Sequence, residues 1–319
     1  MHILPLFPEH LPAAARLFAA RFSALRAALP ELPAAAEDPA WAQTRLAERS
    51  AAGCALAALE GRRLVGVLGW YVLENFRDTP RRGAYCPEWA VTAAERPETV
   101  FRALYRAAAE LWTRSGCEVH ALSLLANDSA GREAWFWNGF GMVVVDALRG
   151  LEPLEAAAPA GLTLRKAGLE DAPRLAQIEA EHWRHYIEPP IFMTPHTPDD
   201  AAAFRQFLTQ PENSAWLALA GEEPVGYLRL ESSSQGAAEI VSAPDTIAIT
   251  GAFVRAEQRG RGLAAALLRA ALEDHRARGF RRCAVDFESF NPEAAAFWPR
   301  FFQPVCYSLM RIPERALPF

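Results

Sequence analysis

The stretch that decides the fold runs from Val254 to Phe280, VRAEQRGRGLAAALLRAALEDHRARGF. Leu263, Leu267, Leu268, Ala271 and Leu272 recur at helical spacing, so a helix is predicted over 262–278. Arg269, Glu273, Arg276 and Arg278 fall on its other side, and Gly279 stands where a helix is closed by a left-handed residue. The preceding DTIAITGAFV, Asp245 to Val254, is β-branched and apolar and reads as a strand. Between the two lies Arg255-Ala256-Glu257-Gln258-Arg259-Gly260-Arg261-Gly262. The free N–H groups at a helix start carry about half a positive charge. Glycine lets an anion approach them closely, and arginine adds formal charge and paired donors. The combination suits a pyrophosphate, with a solvated arginine-rich turn as the alternative reading.

The rest of the chain limits what that anion belongs to. With 319 residues, two domains are expected, and 51% apolar residues suffice for two cores. A net charge of −5 gives no global field for nucleic acid, so the anion site has to be local. The five cysteines (Cys54, Cys86, Cys117, Cys283 and Cys306) are odd in number and unpaired in spacing, which points to a reducing, cytoplasmic setting. The start, MHILPLFPEHLP, lacks the basic region of a signal peptide, and no apolar run is long enough to span a membrane.

Compared with itself, the chain repeats. CALAALEGRRLVGVLGW (54–70) and AWLALAGEEPVGYLRL (215–230) both read as hairpins, with Gly66 matching Gly226. AWFWNGFGMVVVDALR (134–149) resembles AAFWPRFFQPVCYSLMR (295–311), with Trp137 matching Trp298. The units are too long for a solenoid repeat and suit a duplicated domain. Helices are predicted over 11–28, 98–114 and 129–138 in the first half, and strands near Trp89 to Ala93, over 117–125 and over 142–148. The second half is predicted to carry helices over 171–184, 199–209, 262–278 and 292–300, and strands over 246–254, 282–288 and 304–311. The fold class is α+β, a mixed sheet flanked by helices, in two tandem domains: 1–153, a linker over 154–161, and 162–319.

Two nucleotide motifs compete for the loop. Gly260-Arg261-Gly262-Leu263-Ala264-Ala265 fits G-x-G-x-x-A, and Asp286 ends the next strand as a ribose-binding acid would. That motif requires its first glycine directly after the strand, and here Arg255 to Arg259 intervene. A Walker A loop is excluded, because no Gly-Lys-Ser/Thr follows.

Arg259-Gly260-Arg261-Gly262-Leu263-Ala264 resembles the R-x-x-G-x-G/A signature of the GCN5-related N-acetyltransferase (GNAT) superfamily. Val254 stands where that family's strand ends, and FESFNPEAAAFW (287–298) is similar to its strand-to-helix segment, with Asn291 at the helix start. The resemblance implies an N-acyltransferase that moves an acetyl group from acetyl-CoA to an amine in a ternary complex. It also implies that Gln258 to Ala264 hold the CoA pyrophosphate. The strand edge at Phe253 and Val254 would pair with the pantetheine arm and donate an N–H to the oxyanion. Asn291 would cap its helix or bond the pantetheine. No metal is expected, and the partners would be a small-molecule or peptide amine, with neither nucleic acid nor membrane. A non-catalytic acyl-CoA sensor and an NAD(P)-binding oxidoreductase are the rival readings.

The chain departs from the family in one place that matters for chemistry. The family's last helix carries a tyrosine that protonates the leaving thiolate, and Trp298, which cannot, stands there. Tyr307 or Ser289 is the expected substitute, with water as the third option. For the base, Asp286 and Glu288 lie on the strand beside the loop, and alternating side-chain directions are expected to put one of them in the cleft. Glu239 and Asp245 are weaker candidates. In EHWRHYIEPPIFMTPHTP (181–198), His182 and His185 lack a third metal ligand and read as surface or packing residues, while the segment itself suits an aromatic acceptor pocket.

The equivalent loop of the first half, Ala93-Ala94-Glu95-Arg96-Pro97-Glu98, has no glycine. Pro97 removes an N–H, and Glu95 and Glu98 put carboxylates where a phosphate would sit. That half is expected to keep the fold without the CoA site, as a scaffold. Glu88 reads as an edge carboxylate or one facing a shared cleft.

Overall fold

The computed structural model describes residues 1–314, so the last five residues of the expected second domain lie outside the described residues. Its contacts form two compact units. Unit 1 comprises Met1–Asp146, the tripeptide Ala238–Ile240 and the segment from Gln303 on, and unit 2 comprises Ala147–Ala237 and Val241–Phe302. The division thus falls at Asp146 rather than at residue 153, and the chain's end is counted with the first half. Residues 151–162 carry neither helix nor strand.

In chain order the first half contains β1 (His2–Pro5), α1 (Leu11–Ala28), α2 (Pro39–Ala51), β2 (Ala55–Glu60), β3 (Arg63–Gly69) and β4 (Tyr71–Leu73). It continues with β5 (Gly83–Cys86), β6 (Val91–Ala93), α3 (Pro97–Arg114), β7 (Val119–Leu125), α4 (Ser129–Phe136) and β8 (Gly141–Gly150). The second half contains β9 (Thr163–Lys166), α5 (Ala172–Ile187), α6 (Ala201–Leu208), β10 (Ser214–Ala220), β11 (Glu223–Glu231) and β12 (Thr246–Val254). Then follow α7 (Leu263–Ala277), β13 (Arg282–Glu288), α8 (Pro292–Phe297) and β14 (Gln303–Arg311). The architecture is α+β, as expected. Helix α2 was not anticipated, because its apolar positions Ala42 and Leu46 are too few to show a period.

Unit 1 runs β1-β2-β3-β6 in one sheet, while β4, β5, β7 and β14 follow one another in a second. Strand β14 lies antiparallel to β7, from Cys306 opposite Leu125 to Arg311 opposite His120. The repeat explains why β14 can serve here. Its sequence resembles that of β8, the strand that closes the first half, so the same apolar alternation suits this place. The core gathers around α3, where Trp112, Tyr105 and Phe101 meet Trp70, Trp135 and Phe140. Each such ring buries enough surface to contribute about 2–3 kcal/mol.

Glu88 is neither at an edge nor in a cleft. It is 1% exposed inside unit 1, where one carboxyl oxygen accepts from the Ile240 N–H at 3.1 Å. Burial raises its pKa to about 7. Glu239 also belongs to this unit, accepting from Trp89 Nε1 at 2.8 Å and from Arg45 Nε at 2.7 Å. Its role is structural rather than that of a base.

Unit 2 runs β13-β12-β11-β10-β9. Strands β11 and β12 pair antiparallel from Gly226 opposite Val254 to Glu231 opposite Ala248, with a register shift that leaves Thr250 as the extra residue of a bulge. Strands β12 and β13 pair in parallel only from Thr246 opposite Arg282 to Ile249 opposite Val285. Past the bulge β12 continues to Val254 against β11, so the β12–β13 seam ends at its middle. Helix α7 buries Leu263, Ala266, Leu267, Leu268, Ala271 and Leu272, the stripe expected from sequence, and Gly279 follows at φ +94°. Its buried His275 bonds Ser214 Oγ at 2.8 Å, and burial lowers its pKa to about 4.

Candidate active site

The loop between β12 and α7 is formed as its residues require. After β12 a short 3-10 turn, Ala256–Gln258, leads to Gly260 at φ +72° and Gly262 at φ +84°, a region that residues with a Cβ rarely adopt. Gly262 is the N-cap of α7 and supplies no side-chain cap. Among the described residues no hydrogen bond is recorded from the backbone N–H groups of Gly260 to Ala265. They form a row of donors at a positive helix end. A Cβ at Gly260 or Gly262 would meet nothing within 4 Å, so both glycines serve backbone conformation and access rather than packing. The turn also separates Gly260 from the strand, which removes the geometry a dinucleotide motif needs.

The arginines divide their roles differently from the expectation that both reach for phosphate. Arg259 Nε donates to the Val254 carbonyl at 2.9 Å, and Nη1 donates to Glu293 at 2.6 Å. It braces the strand end against α8. Arg261 is exposed and donates to Gln258 Oε1 at 2.6 Å, so Gln258 positions an arginine. Arg255 makes a two-pronged ion pair with Glu181 at 2.8 and 2.6 Å and a further one with Glu223 at 2.8 Å. It fastens α5 to the loop. Asn291 caps α8, its Oδ1 accepting from the Ala294 N–H at 3.2 Å. Leu263 is buried in the core, and Ala264 is half-buried in the first turn.

The candidate carboxylates are arranged otherwise than expected. Asp286 and Glu288, two residues apart on a strand, share one half-buried face of β13, and Phe287 between them is buried on the other. Both stand close enough to Tyr186 of α5 to act on its hydroxyl. Burial first, then the charges of Glu288, Asp286 and Glu179, hold that phenol far above its ordinary value, so it stays a neutral donor. Tyr307 is not part of this group. It lies on β14 in unit 1, opposite Leu124, with the Arg132 guanidinium 5.1 Å over its ring. Asp245 ties down Arg282. Trp298 is buried between Phe297 at 4.9 Å and Phe302 at 5.5 Å and is a packing residue.

The largest group missed from sequence sits on α5. His182 and Glu179 are 5% and 6% exposed and face Tyr227 of β11. His182 Nδ1 lies 2.8 Å from the Tyr227 hydroxyl, which donates to Glu179 Oε2. Glu179 also accepts from Trp183 Nε1 at 3.0 Å. Burial alone would raise the Glu179 carboxyl, but hydrogen bonds and charge from His182, the Tyr227 hydroxyl and Arg229 outweigh it, leaving the group below the usual range. Gly251 makes room for this contact, since a Cβ there would be 2.8 Å from the Tyr227 oxygen. The His182 ring stacks on Phe253 at 5.5 Å and meets Tyr186 at 4.4 Å. His185 lies 6.0 Å from Phe253 and 3.6 Å from Glu293, and burial with the Arg259 charge lowers its pKa. Thus α5 lays His182 and Tyr186 across the place where β12 and β13 part. The signal was legible: Glu179, His182 and Tyr186 continue the stripe that begins with the buried Leu175 and Ile178.

Among the described residues no group of three or more His, Cys, Asp or Glu is placed to hold a metal. Nor is any described helix long and apolar enough to cross a membrane.

Residues 175–302 match the model of the acetyltransferase (GNAT) family. A solved GCN5-related N-acetyltransferase from Sphaerobacter thermophilus superposes with a TM-score of 0.60 at 17% identity, covering 99% of this chain and 97% of that one, and so shares the fold. A tandem GNAT protein from the clavulanic acid biosynthesis pathway matches at a TM-score of 0.45 and 18% identity over 83% of each chain. A GCN5-related N-acetyltransferase from Kribbella flavida matches at 0.41 and 16% identity over 98% of this chain and 70% of that one. No curated protein matches.

Proposed function

We propose that this chain, which belongs to the GNAT superfamily through residues 175–302, is an N-acetyltransferase that moves an acetyl group from acetyl-CoA to an amine by direct attack in unit 2. The observation that carries the reading is the row of unbonded N–H groups from Gly260 to Ala265, with Gly260 and Gly262 at positive φ, beside a strand seam that ends at Ile249. The CoA pyrophosphate would take those donors. Its pantetheine arm would lie along Thr250 to Val254, past the bulge, where an N–H of Phe253 or Val254 would face the thioester oxygen. The anion loop thus includes Gln258, Arg259, Gly260, Arg261, Gly262, Leu263 and Ala264, with Arg259 and Gln258 as braces. Asn291 holds the end of the slot.

Asp286 and Glu288 present two carboxylates on one face and suit an ammonium-bearing acceptor. Tyr186 takes the part proposed for Tyr307, as a hydrogen-bond donor rather than an acid. A phenol raised so far does not give up its proton to a thiolate. The first half is a fold without this slot and acts as a scaffold. A cytoplasmic setting accords with five free cysteines.

The buried Trp298 favours one rival, a protein that binds acyl-CoA without turning it over. Thiol release from acetyl-CoA across a panel of primary amines separates the two. Amine-dependent release that falls at least tenfold in Glu288→Gln supports transfer. Binding without release for every amine supports the sensor, and absence of acetyl-CoA binding overturns both.

A further inference from the structure

The proton inventory around Tyr227 assigns a tautomer to His182. Tyr227 has one hydroxyl proton and gives it to Glu179, a carboxylate that can only accept. The same oxygen lies 2.8 Å from His182 Nδ1, so it accepts there and Nδ1 carries the imidazole proton. In the neutral ring Nε2 then holds the lone pair, and among the described residues no partner is recorded for it. The ring is 5% exposed and stacks on Phe253, the strand-end residue beside which the thioester would lie.

We infer, resting on the acetyltransferase reading, that His182 is the general base of the reaction, with Tyr227 and Glu179 as positioning residues that fix its tautomer. The neutral amine attacks the thioester carbonyl carbon and the new N–C bond forms. The nitrogen's surplus proton passes to His182 Nε2, giving an imidazolium. The C–S bond then breaks, the electron pair leaves with the CoA sulfur, and the imidazolium returns its proton to that thiolate. Amide and CoA thiol result, and His182 is neutral again. The Glu179 carboxylate, relayed through the Tyr227 hydroxyl, stabilises the imidazolium while it exists. One residue thus supplies both base and acid, which accounts for a buried tryptophan at the last helix in place of a phenol. Asp286, Glu288 and Tyr186 remain to hold the acceptor.

Nitrogen NMR of the histidine-labelled protein, with His182→Asn to assign the signal, reads the tautomer without any acceptor. The expected state is protonated Nδ1 and bare Nε2, turning into a tautomer mixture in Tyr227→Phe. Protonation at Nε2 instead overturns the inference. With an amine from the panel, His182→Asn is expected to lower kcat about 100- to 10,000-fold. Calorimetry should show its acetyl-CoA affinity unchanged. Tyr227→Phe and Glu179→Gln should lower kcat by smaller factors with little change in KM. A wild type that transfers acetyl groups alongside an undiminished His182→Asn overturns the base alone. A wild type that transfers to no amine overturns the base together with the enzyme reading.

Discussion

Arg21 and His182 stand at the same place in two copies of one helix, each ten residues after the helix start at Leu11 and Ala172. In unit 2 that place holds an imidazole whose Nδ1 lies 2.8 Å from the Tyr227 hydroxyl. In unit 1 it holds a guanidinium that donates to the Ala93 carbonyl at 2.5 Å and pairs with Asp128 at 2.9 Å. Ala93 ends β6 as Val254 ends β12, and Asp128 caps α4 as Asn291 caps α8. In unit 2 the brace on the strand-end carbonyl is Arg259, which comes from the loop rather than from the helix. In unit 1 the brace is the helix's own arginine.

The loops differ in the same sense. Arg96 replaces Gly262 as N-cap at φ +48°, Pro97 follows, and Glu95 and Arg96 pair with Arg63 and Glu60. A cavity of about 350 Å3 persists beside it, lined by Glu98, Arg102, Ala130, Glu133, Ala134 and Trp137, but two of its charged groups are carboxylates. A fold can therefore keep its sheets, caps and helices while one helix position and one loop carry different side chains and make different bonds.

The largest effect is expected where the open slot is converted to the closed kind. Gly262→Glu strains a left-handed residue and sets a carboxylate before the N–H row, so acetyl-CoA affinity by calorimetry should fall at least about 100-fold, or roughly 2.7 kcal/mol. A variant that binds normally breaks the contrast between the loops.

Glu88 gives unit 1 a pH dependence with a definite sign. Its pKa is raised to about 7 by burial, so its contribution is complete below its unfolded value and is lost as pH rises through 7. Glu88→Gln should gain up to about 3 kcal/mol relative to wild type between pH 4.5 and pH 8, read by urea unfolding. A constant difference across that range contradicts the burial argument.

Next comes Gly251→Ala, which drives a methyl into Tyr227 and should cost about 1–3 kcal/mol in unfolding free energy. It should also lower turnover through the His182 contact. The smallest effect is expected from Arg21→Ala, about 1 kcal/mol, because Asp128 keeps its bond from the Gly131 N–H. It should add no acetyl-CoA site, since Pro97 and the carboxylates remain, and a second site in this variant would mean that Arg21 alone holds the slot shut.

The strand, loop and helix from Thr246 to Ala277 were legible because their signals are local, all within one stretch. Both strands β12 and β13 matched their predicted limits for the same reason. Asp286 and Glu288 could also have been placed, since a separation of two on a strand fixes one shared face. The base was harder, because Glu179, His182, Tyr227 and Gly251 come from three elements and meet only through packing. Arg259 was harder to place: the motif arginine bonds a backbone carbonyl and Glu293, partners that its spacing does not announce. Pairing of β14 with β7 was invisible, because β8 and β14 carry the same pattern and the sequence does not say which of the two a strand will join.

One of the two copies is expected to bind acetyl-CoA and the other is not. Titration of acetyl-CoA into the whole chain by calorimetry, with Gly262→Glu and Arg21→Ala alongside wild type, tests it most directly. One site per chain is expected in wild type and in Arg21→Ala, and none in Gly262→Glu. Two sites in wild type, or a site that survives Gly262→Glu, would contradict it.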